Sequence, residues 1–119
     1  DMPVDIARRL LGPDKIVGAT AKTVPQALEA WQQGADYLGV GAIYPTTTKV
    51  VTVITSTETL ADICAAVPIP VNAIGGLNRD NLGVLKGTGI RGICVVSAIM
   101  KAADPKAAAQ QLREAFRAL

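Results

Sequence analysis

Strand and helix signals alternate along this chain, and this alternation limits the folds that it can adopt. Apolar segments typical of strands run over Lys15–Ala19, Tyr37–Ile43, Val71–Ile74 and Ile90–Val96, and each is followed by helical signals. Near-continuous apolar strands separated by helices are typical of a parallel sheet, because each crossover helix covers one face of the strands. The sequence therefore predicts an α/β fold with four consecutive β/α units.

Capping patterns place the helices between these strands. A further helical pattern over Val4–Leu11 precedes the first strand. Thr23 begins a helix that runs through Gln33, with Thr23-Val-Pro-Gln26 as a capping box, and Thr55–Glu58 caps the next helix. Asn78 is predicted to cap a helix that closes at Gly87–Gly89, and Asp104, followed by proline, begins the terminal helix.

Composition limits the function classes. The 119 residues fit one domain, 1–119, and 50% of them are hydrophobic, which is enough to form a core. A net charge of +2 without a basic run, and only 3% aromatic residues, disfavour a nucleic-acid partner. The chain has no apolar run of the ~20 residues that span a bilayer, so we expect no membrane partner. Cys64 and Cys94 lie in apolar segments, which favours buried thiols and a cytoplasmic location, although one disulfide stays open.

Three predicted strands end in groups that suit an anion. Ile43 leads through Tyr-Pro-Thr-Thr-Thr to Lys49, Ile74 leads to Gly75-Gly76, and Val96 leads to Ser97 at the start of a short helix. Hydroxyls, an ammonium, bare backbone amides and helix N-termini all favour phosphate or diphosphate. Each feature also has a plain structural meaning: the glycines would let a helix pack closely on its strand, the threonines would bond turn backbone, and Lys49 would be a solvated charge.

Two architectures fit the β/α pattern. One is a doubly wound open sheet, and the other is half of a (β/α)₈ barrel of about 250 residues. In both, the carboxyl ends of the strands carry the functional groups. The candidate residues at these ends are Thr20, Thr46, Thr48, Lys49, Gly75, Gly76 and Ser97.

Three segments together resemble one family. In order and spacing, Asp36–Lys49, Ala73–Gly76 and Val95–Met100 resemble the carboxyl-terminal half of thiamine-phosphate synthase, also called thiamine-phosphate pyrophosphorylase. The resemblance extends over Met2–Leu119, and Tyr-Pro-Thr-x-Thr-Lys is its most diagnostic element. It implies a TIM barrel of which this chain holds the last four β/α units. It also implies a transferase, assisted by Mg²⁺, that joins an aminopyrimidine methyl diphosphate to a thiazole phosphate and releases pyrophosphate.

The resemblance also implies roles for individual residues. Thr46, Thr48 and Lys49 match residues that hold the diphosphate and thiazole-phosphate region, and Gly76, Val96 and Ser97 match the cradle of the thiazole phosphate. Thr20 stands where the family places a serine beside the pyrimidine, and Lys22 stands where a histidine is usual. The catalytic residues expected in this chain are therefore Lys49 and Thr20.

Other parts of the family site are expected outside this chain. The magnesium-binding aspartates and the groups that grip the pyrimidine diphosphate belong to the family's amino-terminal half, so we expect no metal ligand here and incomplete catalysis by this chain alone. Asp1 is not an initiator residue, which suggests a fragment of a longer protein. We expect phosphate-bearing small molecules as ligands, and either a homo-oligomer or association with the amino-terminal half.

Two other functions remain open. One is a different phosphate-binding TIM-barrel enzyme, an isomerase or a tautomerase, although the absence of histidine disfavours the related thiazole tautomerases. The other is a non-catalytic half barrel that binds phosphate or mediates assembly.

Overall fold

The computed structural model describes residues 2–45 and 53–119. Its elements follow one another as α1 (Val4–Leu11), β1 (Gly18–Ala21), α2 (Val24–Gln32), β2 (Tyr37–Val40), α3 (Thr57–Ala66), β3 (Val71–Ile74), the 3₁₀ helix η1 (Leu82–Leu85), β4 (Gly92–Cys94), α4 (Ser97–Met100) and α5 (Pro105–Arg117).

The four strands form one parallel sheet in the order β1-β2-β3-β4. Thr20 pairs with Gly39, Gly39 with Asn72, and Asn72 with Gly92, so these residues form one row across the sheet. The prediction of an α/β fold with a parallel sheet is confirmed. β3 has the predicted bounds, and β2 and β4 are shorter than their apolar segments because the flanking residues belong to loops. β1 begins and ends later than the predicted Lys15–Ala19, so Thr20 lies within the strand.

The core lies on one face of the sheet. Alternate strand residues, among them Leu38, Val40 and Ala73, are fully buried there. They pack against buried side chains of α2, α3, η1 and α5, which are Ala27, Ala30, Leu60, Ile63, Leu82, Leu85 and Leu112. The opposite face, which we call the open face, carries Thr20, Tyr37, Gly39, Asn72, Ile74 and Cys94, none of which is buried. Two large aromatic side chains, Tyr37 and Trp31, are 39% and 38% exposed.

The helices begin close to the predicted caps. Thr23 Oγ1 accepts from the Gln26 amide at 3.2 Å, and Asp104 Oδ1 accepts from the Ala107 amide at 3.1 Å. In α3, Ser56 Oγ caps by accepting from the Thr59 amide at 3.1 Å. Thr55 does not cap that helix, because its hydroxyl instead donates to Gly41 O at 2.9 Å.

The predicted helix that begins at Asn78 is wrong. Only the four residues of η1 are helical in this segment. The Asn78 side chain accepts from the Asp80 amide at 2.9 Å and from the Asn81 amide at 3.1 Å, and Asn81 Oδ1 accepts from the Asn78 amide at 2.8 Å. Asparagine side chains that bond nearby backbone in this way offer an alternative to helix, so the chain forms a turn here.

Arg8 and Asp36 fix the amino-terminal end of the sheet. Arg8 donates to Gly34 O and to Asp36 Oδ2, each at 2.6 Å, and the Val17 amide donates to Asp36 Oδ2 at 2.8 Å. The Val17 amide and then the Arg8 guanidinium lower the pKa of Asp36 below its ordinary value, because both stabilise the carboxylate. These contacts tie α1 to the starts of β1 and β2.

Candidate functional site

The carboxyl ends of the four parallel strands meet at one edge of the sheet, which we call the rim. Thr20 lies next to the last residue of β1, Gly76 follows β3 by two residues, and Val96 and Ser97 follow β4. The structure therefore has these four candidates at the same edge. Thr46, Thr48 and Lys49 lie outside the described residues, but Pro45, which directly precedes Thr46, belongs to the loop after β2.

The loops after β2 and β3 are joined by backbone hydrogen bonds. The Ile43 amide donates to Ile74 O at 3.1 Å, and the Tyr44 amide donates to Gly75 O at 3.0 Å. A Cβ built on Gly76 would lie 2.8 Å from Pro45 O. The chain that leads into Thr46 thus lies against the Gly76 turn.

Gly75 and Gly76 are required by this close approach. Their φ values are +109° and +66°, which other residues rarely adopt. A Cβ would lie 2.6 Å from the Cα of Ala42 at Gly75 and 2.7 Å from the Cβ of Tyr44 at Gly76. The element that packs closely on these glycines is a loop, so the interpretation that they admit a helix is wrong.

Asn81 supports the same turn from the other side. Its Nδ2 donates to Gly76 O at 2.9 Å, and its own carbonyl accepts from Tyr44 Oη at 3.3 Å. Among the described residues, no acceptor takes the amide of Gly75 or Gly76. The turn therefore presents backbone donors on a fixed frame, an arrangement that suits an anion.

Two polar side chains lie on the open face beneath the rim. Thr20 is exposed, and Asn72 lies two strands away in the same row. Gly92 completes the row, and a Cβ there would lie 2.7 Å from Asn72 Oδ1. Asn72 was not among the residues predicted from the sequence, although a lone polar residue alternating with apolar ones in Val71–Ile74 is a signal that indicates it.

The segment after β4 contributes the start of α4. Val96 is 58% exposed, and its carbonyl accepts from the Ile99 and Met100 amides at 3.2 and 2.8 Å. Ser97 is the first helical residue and is half-buried. The first amides of a helix lack intrahelical acceptors, so the amide and hydroxyl of Ser97 are donors at the rim.

Lys22 is a charged residue of the rim whose contacts the sequence did not reveal. It follows β1 directly, and its Nζ donates to Gly41 O at 2.5 Å and to Val53 O at 3.3 Å. Both acceptors are distant in sequence, at separations of 19 and 31 residues. Its side chain thus joins the ends of β1 and β2.

The described residues do not fit a magnesium site. Within 2–45 and 53–119, no group of three or more His, Cys, Asp or Glu side chains could hold a metal ion. Asp36 already accepts from Arg8 and Val17 at the amino-terminal end of the sheet, away from the rim. Mg²⁺ needs oxygen ligands, chiefly carboxylates, and this part of the chain does not gather them.

The two cysteines have no disulfide between them. Cys64 and Cys94 are free and half-buried. Burial raises the pKa of the Cys64 thiol, because desolvation disfavours the thiolate. Cys64 therefore belongs to the packing around the core and not to the chemistry of the rim.

Comparisons with known proteins agree on one family. A family model described as thiamine monophosphate synthase matches residues 1–99. Thiamine-phosphate synthase 2 of Streptococcus pneumoniae serotype 4 is 56% identical over 110 residues, which are 92% of this chain and 52% of that protein. Thiamine-phosphate synthase of Clostridium tetani is 49% identical over 116 residues, which are 98% of this chain and 56% of that protein.

Solved structures agree with the sequence comparisons. A thiamine phosphate pyrophosphorylase from Pyrococcus furiosus is similar with a TM-score of 0.88 at 41% identity, over 99% of this chain and 56% of that one. The structural neighbours are TIM-barrel-like, and the chain spans about half the length of the relatives it matches. No helix among the described residues is long and apolar enough to cross a membrane. Because the family model matches residues 1–99 of the 119, the chain belongs to the thiamine monophosphate synthase family.

Proposed function

We propose that this chain supplies the phosphate-binding rim of a thiamine-phosphate synthase. The reaction couples an aminopyrimidine methyl diphosphate to a thiazole phosphate and yields thiamine phosphate and pyrophosphate. The observation that carries the proposal is the convergence of Thr20, the Gly76 turn and Ser97 at one rim, in a chain of this family. Lys49, Thr46 and Thr48 complete the proposed phosphate contacts.

The proposed chemistry asks for positioning and charge neutralisation. The diphosphate leaves first, and the thiazole nitrogen then attacks the pyrimidine-methyl cation. Backbone donors and an ammonium aimed at the leaving oxygens stabilise the charge that develops there, and a fixed geometry supplies much of the rate. Such a step needs little proton transfer, which is compatible with a chain that has no histidine.

We also propose that the chain forms half of a barrel. The open face has no covering helix among the described residues, and β1 and β4 are the edges of the sheet. A cleft of about 530 Å³ opens beside β4 and is lined by Ile93, Val95, Ile99, Leu112 and Phe116, among others. Unpaired strand edges of this kind pair readily with further strands. An amino-terminal half or a second copy would supply them, and an amino-terminal half would also supply the Mg²⁺ ligands.

Binding and activity measurements test the proposal. Calorimetry on the isolated chain should detect thiazole phosphate or inorganic pyrophosphate, and Lys49→Ala should weaken binding by about 1.5–3 kcal/mol, the contribution of a charge-assisted hydrogen bond. Lys86→Ala, a change of the same charge far from the predicted loop in sequence, is the matched control. Equal affinities of the two variants would remove Lys49 from the site.

A non-catalytic phosphate-binding or assembly module is the second candidate. The lack of a metal-binding cluster in residues 2–45 and 53–119 fits this candidate as well as it fits a synthase whose Mg²⁺ ligands lie in an amino-terminal half. Mixing the chain with the amino-terminal half of a relative, with Mg²⁺ and both substrates, separates the two. Synthase activity is expected from the mixture, whereas pyrophosphate binding without turnover in a stable complex would favour the module.

The free thiols of Cys64 and Cys94 support the cytoplasm as the proposed compartment.

A further inference from the structure

Lys22 makes two long-range side-chain contacts at the rim, and both are with the chain segments that follow β2. Its Nζ donates to Gly41 O and to Val53 O, which lie on either side of the segment that carries Thr46 and Lys49 in the sequence. An ammonium donates stronger hydrogen bonds than a neutral group, by roughly a factor of two. The contact with Gly41 O is partly buried, so water does not replace it completely, whereas the contact with Val53 O is exposed.

The Thr55 hydroxyl and backbone hydrogen bonds also join the chain segment at Gly41–Ala42 to the segment at Val53–Thr55. The buried Thr55 hydroxyl donates to Gly41 O at 2.9 Å. The Ala42 amide donates to Val53 O at 3.2 Å, and the Thr55 amide donates to Ala42 O at 2.8 Å. We call these bonds and the two from Lys22 the Lys22 clamp. The clamp fixes where the chain leaves β2 and where it returns before α3.

The clamp continues directly into the Gly76 turn. Ala42 belongs to the clamp, and its Cα would lie 2.6 Å from a Cβ on Gly75. The next residues, Ile43 and Tyr44, donate from their amides to Ile74 O and Gly75 O. A shift of Gly41 and Ala42 would therefore displace Gly75 and Gly76, because the two segments are in close contact.

We propose that Lys22 is a positioning residue for the phosphate-binding turn at Gly75–Gly76 and acts through Gly41–Tyr44. This inference rests on the proposed function, in which the Gly76 turn contacts a phosphate. The Lys22 ammonium does not touch the phosphate in this scheme. It fixes the backbone of Gly41–Tyr44, which packs against the turn that carries the Gly75 and Gly76 amide donors.

Calorimetry with inorganic pyrophosphate tests the binding consequence. Lys22→Met keeps the side-chain stem and removes the ammonium, and we expect about a ten-fold loss of affinity, which Lys22→Arg partly restores. Lys15→Met removes the same charge at the amino-terminal end of the sheet and should leave affinity unchanged. Thr55→Val removes one bond of the clamp without a change of charge, and we expect a loss in the same direction. A loss in Lys22→Met with none in Thr55→Val would assign Lys22 a purely electrostatic effect and overturn the proposal.

Amide hydrogen exchange tests the positioning without any ligand. In Lys22→Met and in Thr55→Val, the Tyr44 and Ile43 amides should exchange at least several-fold faster than in wild type, while the Ala107 amide of α5 should not change. Unchanged exchange at Tyr44 in both variants would refute the clamp. If wild type fails to bind pyrophosphate while the exchange rates change as expected, the proposed function fails and the structural role of Lys22 stands.

Discussion

At the scale of single residues, Gly76 combines a left-handed backbone with a contact that leaves no room for a side chain. We expect Gly76→Ala to lower the free energy of unfolding by about 1–3 kcal/mol, since a non-glycine residue at φ +66° is strained and its Cβ would meet Tyr44. Urea unfolding measures the change. Gly83→Ala is the control, because a Cβ at Gly83 meets nothing within 4 Å and its φ is not positive. A Gly76 variant as stable as the Gly83 variant would contradict the close approach of the two loops.

Asp36 gives the fold a dependence on pH. Its pKa is lowered in the folded state by the Val17 amide and the Arg8 guanidinium, so the folded carboxyl binds a proton less readily than the unfolded one. The stabilisation is complete above the unfolded pKa and is lost as the pH falls through the folded pKa. Asp36→Asn should therefore unfold more easily at neutral pH and show a shallower loss of stability in acid.

Urea unfolding from about pH 7 to about pH 3 checks the Asp36 prediction, and the two curves should converge at the acid end. Asp62→Asn, which changes an exposed carboxylate of α3, is the control. If the Asp36 and Asp62 variants follow the same pH profile, the ion pair with Arg8 does not contribute.

The sequence predicts residues of the rim better than the contacts between them. Thr20, Gly76 and Ser97 follow from where apolar strands end, because parallel strands end at the same edge. Lys22, Thr55 and Asn72 were missed or misassigned. Their partners lie on other strands and loops, as with Thr55 and Gly41, which are 14 positions apart, and no local pattern encodes such a distance. The role of Thr46, Thr48 and Lys49 stays a prediction.

At the scale of elements, the capping residues carry most of the local sequence information on where the helices begin. Thr23 and Asp104 were predicted from their side-chain chemistry and the proline that follows each of them closely, and both accept the expected amide. The prediction of a helix that begins at Asn78 was wrong, because an asparagine side chain bonds the backbone of a turn equally well. An asparagine that is not followed by a long apolar helical pattern therefore does not distinguish a helix from a turn.

Asp104 allows a direct measurement of a cap. Asp104→Ala removes the acceptor of the Ala107 amide and should cost about 1 kcal/mol of unfolding free energy, because α5 then begins with an unsatisfied donor. Asp104→Ser keeps a capping oxygen and should retain most of the stability. Thermal unfolding followed by far-UV circular dichroism compares the three proteins. Equal losses in the alanine and serine variants would show that the cap itself is not responsible.

At the scale of the whole molecule, the residues that the structure describes cover one face of the sheet and leave the other uncovered. The helices bury Leu38, Val40 and Ala73, whereas Tyr37 and Ile74 on the open face are 39% and 40% exposed. A TIM barrel closes its sheet with eight strands, and the chain has four in the described residues. Two copies would supply eight parallel strands if β4 of each copy paired with β1 of the other. Such a contact would cover both open faces and leave no strand edge unpaired.

We expect the isolated chain to self-associate through this face. Ile74→Asp places a charge on the open face and should shift the protein towards monomer, because a carboxylate buried between two sheets would be unpaired. Val84→Asp is the matched control, since Val84 is 47% exposed on η1, the 3₁₀ helix whose Leu82 and Leu85 pack into the core on the covered face. Light scattering at micromolar concentrations, with circular dichroism to verify folding, gives the mass of each protein. A folded wild-type monomer, or equal dissociation of both variants, would show that the open face does not pair with a second copy.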